Sequence, residues 1–207
     1  MQYFKTIAVL FNYINNFGVS AAQCVYQCKE KLKAIALLLV LFICAAGCGC
    51  ALSEKVPRGT VVIKGDAVQS KASFTLDELK SMEDGLVEAE YFALNSYGSK
   101  EYVHFKGVWV WHLLNEKVSL QDHASRVTFI AEDGYEVEFP LEDIKREDYI
   151  DEQNPQTKYK MILAWEENGR EYDPEKGNPF QLVVGQREPG EANRPYWVRN
   201  VMIIRID

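Results

Sequence analysis

Cysteine is missing from most of this chain. All five thiols (Cys24, Cys28, Cys44, Cys48 and Cys50) fall within the first 50 of 207 residues. Everything after them can form no internal disulfide, no thiolate metal site and no cysteine nucleophile. Histidine is nearly as scarce. His104, His112 and His123 are the only three, in neither H-x-x-x-H nor H-E-x-x-H spacing, so a zinc site is not expected and they read as structural or solvated side chains. Basic charge is short as well. Of 23 basic and 30 acidic side chains, four and one lie in the first 50 residues, which leaves 19 and 29 after residue 50, a net of −10. Phosphate-backbone binding is driven by positive charge, so nucleic acid is excluded as a partner. A G-x-S-x-G elbow, a P-loop, a dinucleotide fingerprint, internal repeats and low-complexity segments are absent too.

The N-terminal part is rich in what the rest lacks. Lys29, Lys31 and Lys33 precede residues 34–46, thirteen positions without a charge or polar amide. A basic stretch followed by a short apolar one is the pattern of a secretory signal, with the positive end held in the cytoplasm. Ala45-Ala46-Gly47-Cys48 comes next and is similar to a bacterial lipobox, with Ala45 where leucine is usual. In that reading Cys48 is lipidated and becomes the mature N-terminus; Cys50, after Cys48-Gly49, is a poorer match. Residues 34–52 are also 19 uncharged positions, just long enough for an uncleaved spanning helix, and ordinary cleavage is a third reading. Lipid anchor and spanning helix alike tether the downstream domain to the outer face of the cytoplasmic membrane. Residues 1–28 hold either a second apolar segment or sequence upstream of a translation start nearer Val25. The expected organisation is therefore an export segment over 1–50, a linker over 51–59 and one domain over 60–207.

Within the domain, Thr60–Lys64 (TVVIK) is rich in β-branched residues and predicts a strand. Thr75 and Glu78 have capping-box spacing ahead of a short helix whose Leu76, Leu79 and Met82 share a face. Residues 86–95 and 101–106 read as strands around a Tyr97-Gly98 turn, and 109–116 as a helix burying Val110, Leu113 and Leu114. Val127, Phe129 and Ala131 alternate before Asp133-Gly134, as Tyr135, Val137 and Phe139 do after it, which is a strong hairpin signal. Residues 140–144 suggest a helical turn. Strands are expected at 161–165, 181–184 and 197–206, with a turn at Asn168-Gly169. Short strands with a few short helices imply a strand-dominated α+β domain.

The order of these blocks carries a resemblance. VVIKG, TLDELKSM, a charged hairpin, FKGVWVWHLL, RVTFIAEDGYEVEFPLEDI, MILAWEENGREYDPEKGNPFQLVV and RPYWVRNVMIIRI succeed one another as in the oxidoreductase molybdopterin-binding domain of the sulfite-oxidase family, in its short stand-alone form. FKGVWVWHLL resembles that family's f-x-G-V-x-L-x-x-L-L segment, AEDGY its A-x-D-G-Y hairpin, residues 163–184 its L-A-x-x-x-N-G-x-x-L…G-x-P-x-R-L-V-V block, and Trp197-Val198-Arg199 its K-W-V-K. The resemblance spans about residues 58–207.

It also implies what should be found and is not. In the family's full enzymes a cysteine thiolate of this domain ligates molybdenum beside the pterin dithiolene. The matching region, residues 91–96 (YFALNS), offers only Asn95 and Ser96, harder donors than a thiolate. Molybdenum is therefore not expected and no catalytic residue is assigned, while molybdopterin stays a candidate ligand. Of the basic run Arg187, Arg194, Arg199 and Arg205, the resemblance places Arg187 and Arg199 near the cofactor phosphate; the alternative is surface pairing with Glu188, Glu191 and Asp207. Trp109, Trp111, Trp165 and Trp197 are expected in the core rather than stacked on a heterocycle. Glu132-Asp133 and Glu166-Glu167, beside turns, read as solvated loop charge. The expected function is a tethered extracytoplasmic binding module for a pterin-like or other anionic small molecule, or for a partner protein. The alternative is a working molybdenum-cofactor oxidoreductase completed by a partner subunit.

Overall fold

The computed structural model describes residues 56–207. The export segment and Cys48 lie outside the described residues. β1 (Thr60–Lys64) buries Val61, Val62 and Ile63 in succession. An unbroken apolar run suits a strand with neighbours on both edges and cover on both faces. β1 has both neighbours: it pairs antiparallel with β2 (Ala72–Thr75) and parallel with β12 (Val201–Ile206). β5 (Arg126–Ala131) and β6 (Glu136–Pro140) form the expected Asp-Gly hairpin and extend this sheet to the order β2-β1-β12-β5-β6. The first and last strands of the domain thus lie side by side at its centre.

The second sheet is built on β3 (Leu86–Leu94), β4 (Lys100–Trp109) and β9 (Ile162–Glu167), all antiparallel. The far edge of β9 is shared by β10 (Arg170–Glu171) and β11 (Gln181–Val183). β7 (Tyr149–Ile150) and β8 (Lys158–Tyr159) make a separate two-stranded ribbon. Helices α1 (Leu76–Lys80), α2 (Val110–Lys117) and α3 (Leu141–Lys145) turn apolar faces inward through Leu79, through Val110, Leu113 and Leu114, and through Leu141 and Ile144. Thr75 and Glu78 cap α1 reciprocally, as their spacing predicts. Among the described residues no helix is long and apolar enough to cross a membrane.

Two expectations shift. The last strand begins at Val201, not at residue 197. Arg194–Tyr196 is a 3-10 turn, Asn200 sits at φ +54°, and the β12–β5 register slips between Val201 and Ile203, so residues 197–200 leave the main ladder. β2, β7, β8 and β10 carry too few residues for an apolar period to reveal them. The tryptophans divide. Trp165 and Trp197 are core residues, Trp197 meeting Phe105 edge to face at 5.2 Å, whereas Trp109 and Trp111 are half-buried beneath Lys160 and Lys145.

Two buried asparagines hold the loops against the sheets. Asn178 accepts from the Gly59 N–H at 2.9 Å and donates to the carbonyls of Thr60 and Val201 at 3.0 and 2.5 Å. Gly59, together with Arg58 on the Glu175 carbonyl, is thereby tied to the body of the domain. Asn193 accepts from Leu94 N–H at 2.8 Å and donates to the carbonyls of Phe92 and Val184 at 2.8 and 2.9 Å. This brings the turn after β3 and the long loop after β11 together.

Candidate functional site

The turn after β3, where Asn95 and Ser96 stand, is closed on itself. Asn95 Oδ1 accepts the N–H groups of Tyr97 and Ser99, each at 2.9 Å, and the Asn95 N–H reaches the Ser99 carbonyl at 3.1 Å. Its oxygen is therefore a turn staple. Ser96 is exposed at the tip of that turn. Neither supplies an anionic soft donor, and the chemistry of this donor set does not fit a molybdenum held by a protein thiolate.

Arg187 and Arg199 occupy different surroundings. Arg187 is enclosed by Glu191, which takes its Nε at 2.7 Å and also its Nη2 and its backbone N–H, while Nη1 lies 3.5 Å from Asp143 and the guanidinium stacks 5.0 Å over Tyr196. The Glu191 carboxylate raises its pKa further, so it is a committed structural cation. Arg205 is likewise on Asp207 at 3.1 Å. These two follow the surface-pairing alternative, in part: Glu191 and Asp207 are partners, while Glu188 makes no ion pair among the described residues.

Arg199 instead borders a cleft of about 280 Å³ lined by Tyr172, Asp173, Lys176, Asn178, Gln181 and Asn200 among others. Its Nη2 is 2.8 Å from Glu167 Oε2, yet its side chain stays 55% exposed. The same Glu167 carboxylate is 2.9 Å from the Tyr172 hydroxyl, which also lies 2.8 Å from the Gln181 side-chain oxygen. Burial and the adjacent Glu167 push the Tyr172 phenol far above its ordinary value, and Arg199 and Arg194 pull the other way. Arg194 itself does not line the cleft. It stacks 4.6 Å over Trp197 and lies 3.6 Å from Glu101, and its Nη1 is buried without a partner in the structure. A buried guanidinium N–H left unpaired costs free energy until an acceptor arrives.

Sequence reasoning missed three members of this cluster, Glu167, Tyr172 and Gln181. Glu167 looks like loop charge in the sequence. It reaches the cleft because β9 and β10 pair so tightly about Asn168-Gly169 that the Tyr172 N–H bonds to the Trp165 carbonyl at 2.9 Å. Gln181 stands where the resembled G-x-P-x-R-L-V-V pattern has arginine, the one signal that could have pointed to it. Arg194 was in the basic run but gave no sign of its neighbours. Glu132 also differs from expectation, accepting the Asn178 N–H at 3.1 Å. Of the histidines, His104 is 3.6 Å from Glu88, His112 packs against Gly85, and His123 is exposed; among the described residues no group of side chains could hold a metal ion.

Glu152 ties the start of β4, just after the Asn95 turn, to the loop that carries Arg187 and Arg194. It takes Lys100 Nζ at 2.7 Å, the Gly190 N–H at 2.7 Å and Gln186 Nε2 at 3.2 Å. Lys100 first, then the Gly190 amide, hold its carboxyl down to about 2 from the usual 4.5. A depressed folded-state pKa contributes stability that is present above the unfolded value and lost on acidification. The Tm advantage of the native chain over a Glu152→Gln variant should therefore shrink as pH falls from about 4.5 to about 2. Parallel Tm curves for the two through that window would refute the assignment.

A family model for the oxidoreductase molybdopterin binding domain matches residues 54–204. Among solved structures the chain is similar to the sulfane dehydrogenase SoxCD from Paracoccus pantotrophus, at 20% identity and a TM-score of 0.51 over 71% of this chain. The match covers 37% of that protein's chain, and at this identity the likeness is one of fold. No curated protein matches.

Proposed function

Because the chain belongs to the oxidoreductase molybdopterin-binding domain family, we propose that it is a ligand-binding member working without thiolate-held molybdenum, and that it takes a small anionic heterocycle of pterin size in the cleft beside Arg199. The observation that carries this reading is the contrast between two donor sets. The turn at Asn95 and Ser96 offers nothing to a soft metal, whereas Arg199 and Lys176 offer cationic donors that line one cleft with Tyr172. Anion capture needs positioned donors, not a metal bond.

Bound there, molybdopterin would supply a dithiolene and a phosphate. The chain's own part is to hold the anionic end. Arg199 must then be shared with Glu167, and Asp173 draws on Lys176 at 3.5 Å, so the cleft starts close to neutral and its affinity is modest. Gln181 in place of the pattern's arginine weakens it further, since an amide replaces a charged fork.

The test is elemental and pterin analysis of the full chain made in a host that synthesises the cofactor. Molybdenum well below one atom per chain is expected, with pterin retention that falls about tenfold in Arg199→Ala, the scale of one charge-assisted hydrogen bond. Arg187→Ala should lower stability and leave retention unchanged. About one molybdenum per chain, lost with Arg199→Ala, would replace this reading with that of a working oxidoreductase.

We also propose that the domain is held at the outer face of the cytoplasmic membrane through Cys48. The support is the basic-then-apolar stretch ending in Ala45-Ala46-Gly47-Cys48. Cys48→Ser should abolish lipid labelling and release the processed chain. Unchanged labelling would pass the role to Cys50, and membrane retention without any label would favour a spanning helix.

A further inference from the structure

β3 is the edge strand of its sheet, and the two halves of its free edge are treated differently. At the C-terminal half, a side chain takes the place of a neighbouring strand. The Asn193 carboxamide serves the Phe92 carbonyl and the Leu94 N–H. These contacts show that Phe92 and Leu94 direct their backbone groups away from β4. By the two-residue period of a strand, Glu90, Glu88 and Leu86 do so as well.

The Leu86 N–H closes the preceding turn on the Glu83 carbonyl. The N–H and C=O groups of Glu88 and Glu90 have no partner among the described residues. Natural edges are usually blunted by lysine, proline or a bulge. Residues 86–90 (LVEAE) contain neither lysine nor proline, and their pairing with β4 runs without a register shift.

Two grooves flank this open half. One, of about 310 Å³, runs along Val87, Ala89 and Tyr91 beside residues 158–160; the other, of about 410 Å³, lies over Glu90, Tyr102 and the buried carboxylate of Asp151. They share Ala89, Lys158 and Tyr159, so there is space on both sides of the strand.

We propose that this edge is a docking site for an extended segment of a partner protein, which adds to β3 as a further antiparallel or parallel strand. Main-chain hydrogen bonds to Glu88 and Glu90 supply the affinity, and alternate side chains supply the selectivity. Charge chooses the occupant. A second copy of this chain is disfavoured, because pairing Glu88 with Glu88, or with Glu90, sets glutamate opposite glutamate.

The favoured segment carries basic residues opposite Glu88 and Glu90, and small apolar residues on the side of Val87 and Ala89. Glu88 is already drawn to Lys106 at 3.3 Å and lies 3.6 Å from His104, while Glu90 makes no ion pair among the described residues, so Glu90 is the stronger selector. On the opposite side Lys160 is taken up by Glu147 at 3.1 Å, and Lys158 remains at the groove rim.

The experiment uses the full chain in detergent and two blocked heptapeptides, one alternating valine with arginine and one alternating valine with glutamate. The arginine peptide should bind about tenfold more tightly, the sum of two opposed charge pairs against two like ones. Saturation with it should slow amide exchange at Glu88 and Glu90 and leave the cleft at Arg199 unaffected. Glu88→Pro removes one outward donor at a position where an edge strand tolerates proline, and should abolish binding. Should that variant not fold, Glu90→Lys, on an exposed side chain, should reverse the preference between the two peptides. Equal binding of both peptides, or protection elsewhere, would overturn the proposal. Amides of Glu88 and Glu90 already protected without peptide would overturn it too, by placing another part of this chain on the edge.

Discussion

Asn193→Ala is expected to lower the stability of the domain by about 3–5 kcal/mol, read as a fall in the urea midpoint at unchanged slope. Asn193 is fully buried, and its carboxamide meets three backbone groups from two segments: the Leu94 N–H and the Phe92 carbonyl of β3, and the Val184 carbonyl after β11. Alanine would take this partner from all three inside the protein. Each orphaned buried group costs about 1–3 kcal/mol, less where water can reach it. Small domains are stable by only about 5–15 kcal/mol, so the loss is a large share of the whole. Val184 also receives the Trp197 indole N–H at 2.8 Å, so its carbonyl keeps one bond and the other two groups carry most of the effect. A change below about 1 kcal/mol would show that the loop after β11 is not fastened to the turn after β3 in the way described.

Gly107→Ala should be nearly as costly, at about 3 kcal/mol, for a different reason. A Cβ at Gly107 would stand 2.4 Å from the Leu163 carbonyl oxygen and 2.6 Å from Ala164 Cα. Both are backbone atoms of the central strand β9, which no side-chain rotation can move away. The β4–β9 register shifts between Lys106 and Gly107, and beside that shift the backbone of β9 leaves no room for a Cβ. Gly134 is the control. It holds φ +86° in the Asp-Gly turn with nothing within 4 Å of an added Cβ, so Gly134→Ala meets only the left-handed backbone penalty of about 1–2 kcal/mol. If the two alanine variants melt alike, close packing at Gly107 is not what that glycine provides.

The arginines show how far residue type can be carried without neighbours. Four of them near the C-terminus of an acidic domain suggest an anion site, and the family resemblance selects Arg187 and Arg199. Glu191, four residues after Arg187, holds that guanidinium through two contacts and the Arg187 backbone N–H through a third. Arg199 stays at a cleft edge because its partner, Glu167, comes from a strand 32 positions earlier and is itself shared with Tyr172. The same holds for Asn95. In the sequence it is a candidate ligand, while in the fold its oxygen is used up by two amides of its own turn.

What the sequence determined by itself is everything that depends on near neighbours or on absence. The lack of thiols after Cys50 means that residues 51–207 offer no thiolate of their own to a soft metal. The apolar run of β1, the capping box at Thr75 and the Asp-Gly hairpin are local signals, and each forms as its spacing predicts. The order of the blocks was enough to reveal the family. Only the tertiary structure decided which charges meet. Glu167, Tyr172, Gln181 and Arg199 come from two hairpin arms, a strand and a loop, and only the pairing of β9 with β10 and β11 gathers them. Likewise the parallel pairing of β1 with β12 joins the two ends of the domain. A periodicity reports which face of a strand is buried, but not which strand lies beside it. That choice is made by the packing of the whole core, where contacts between residues far apart in the chain outweigh local preference.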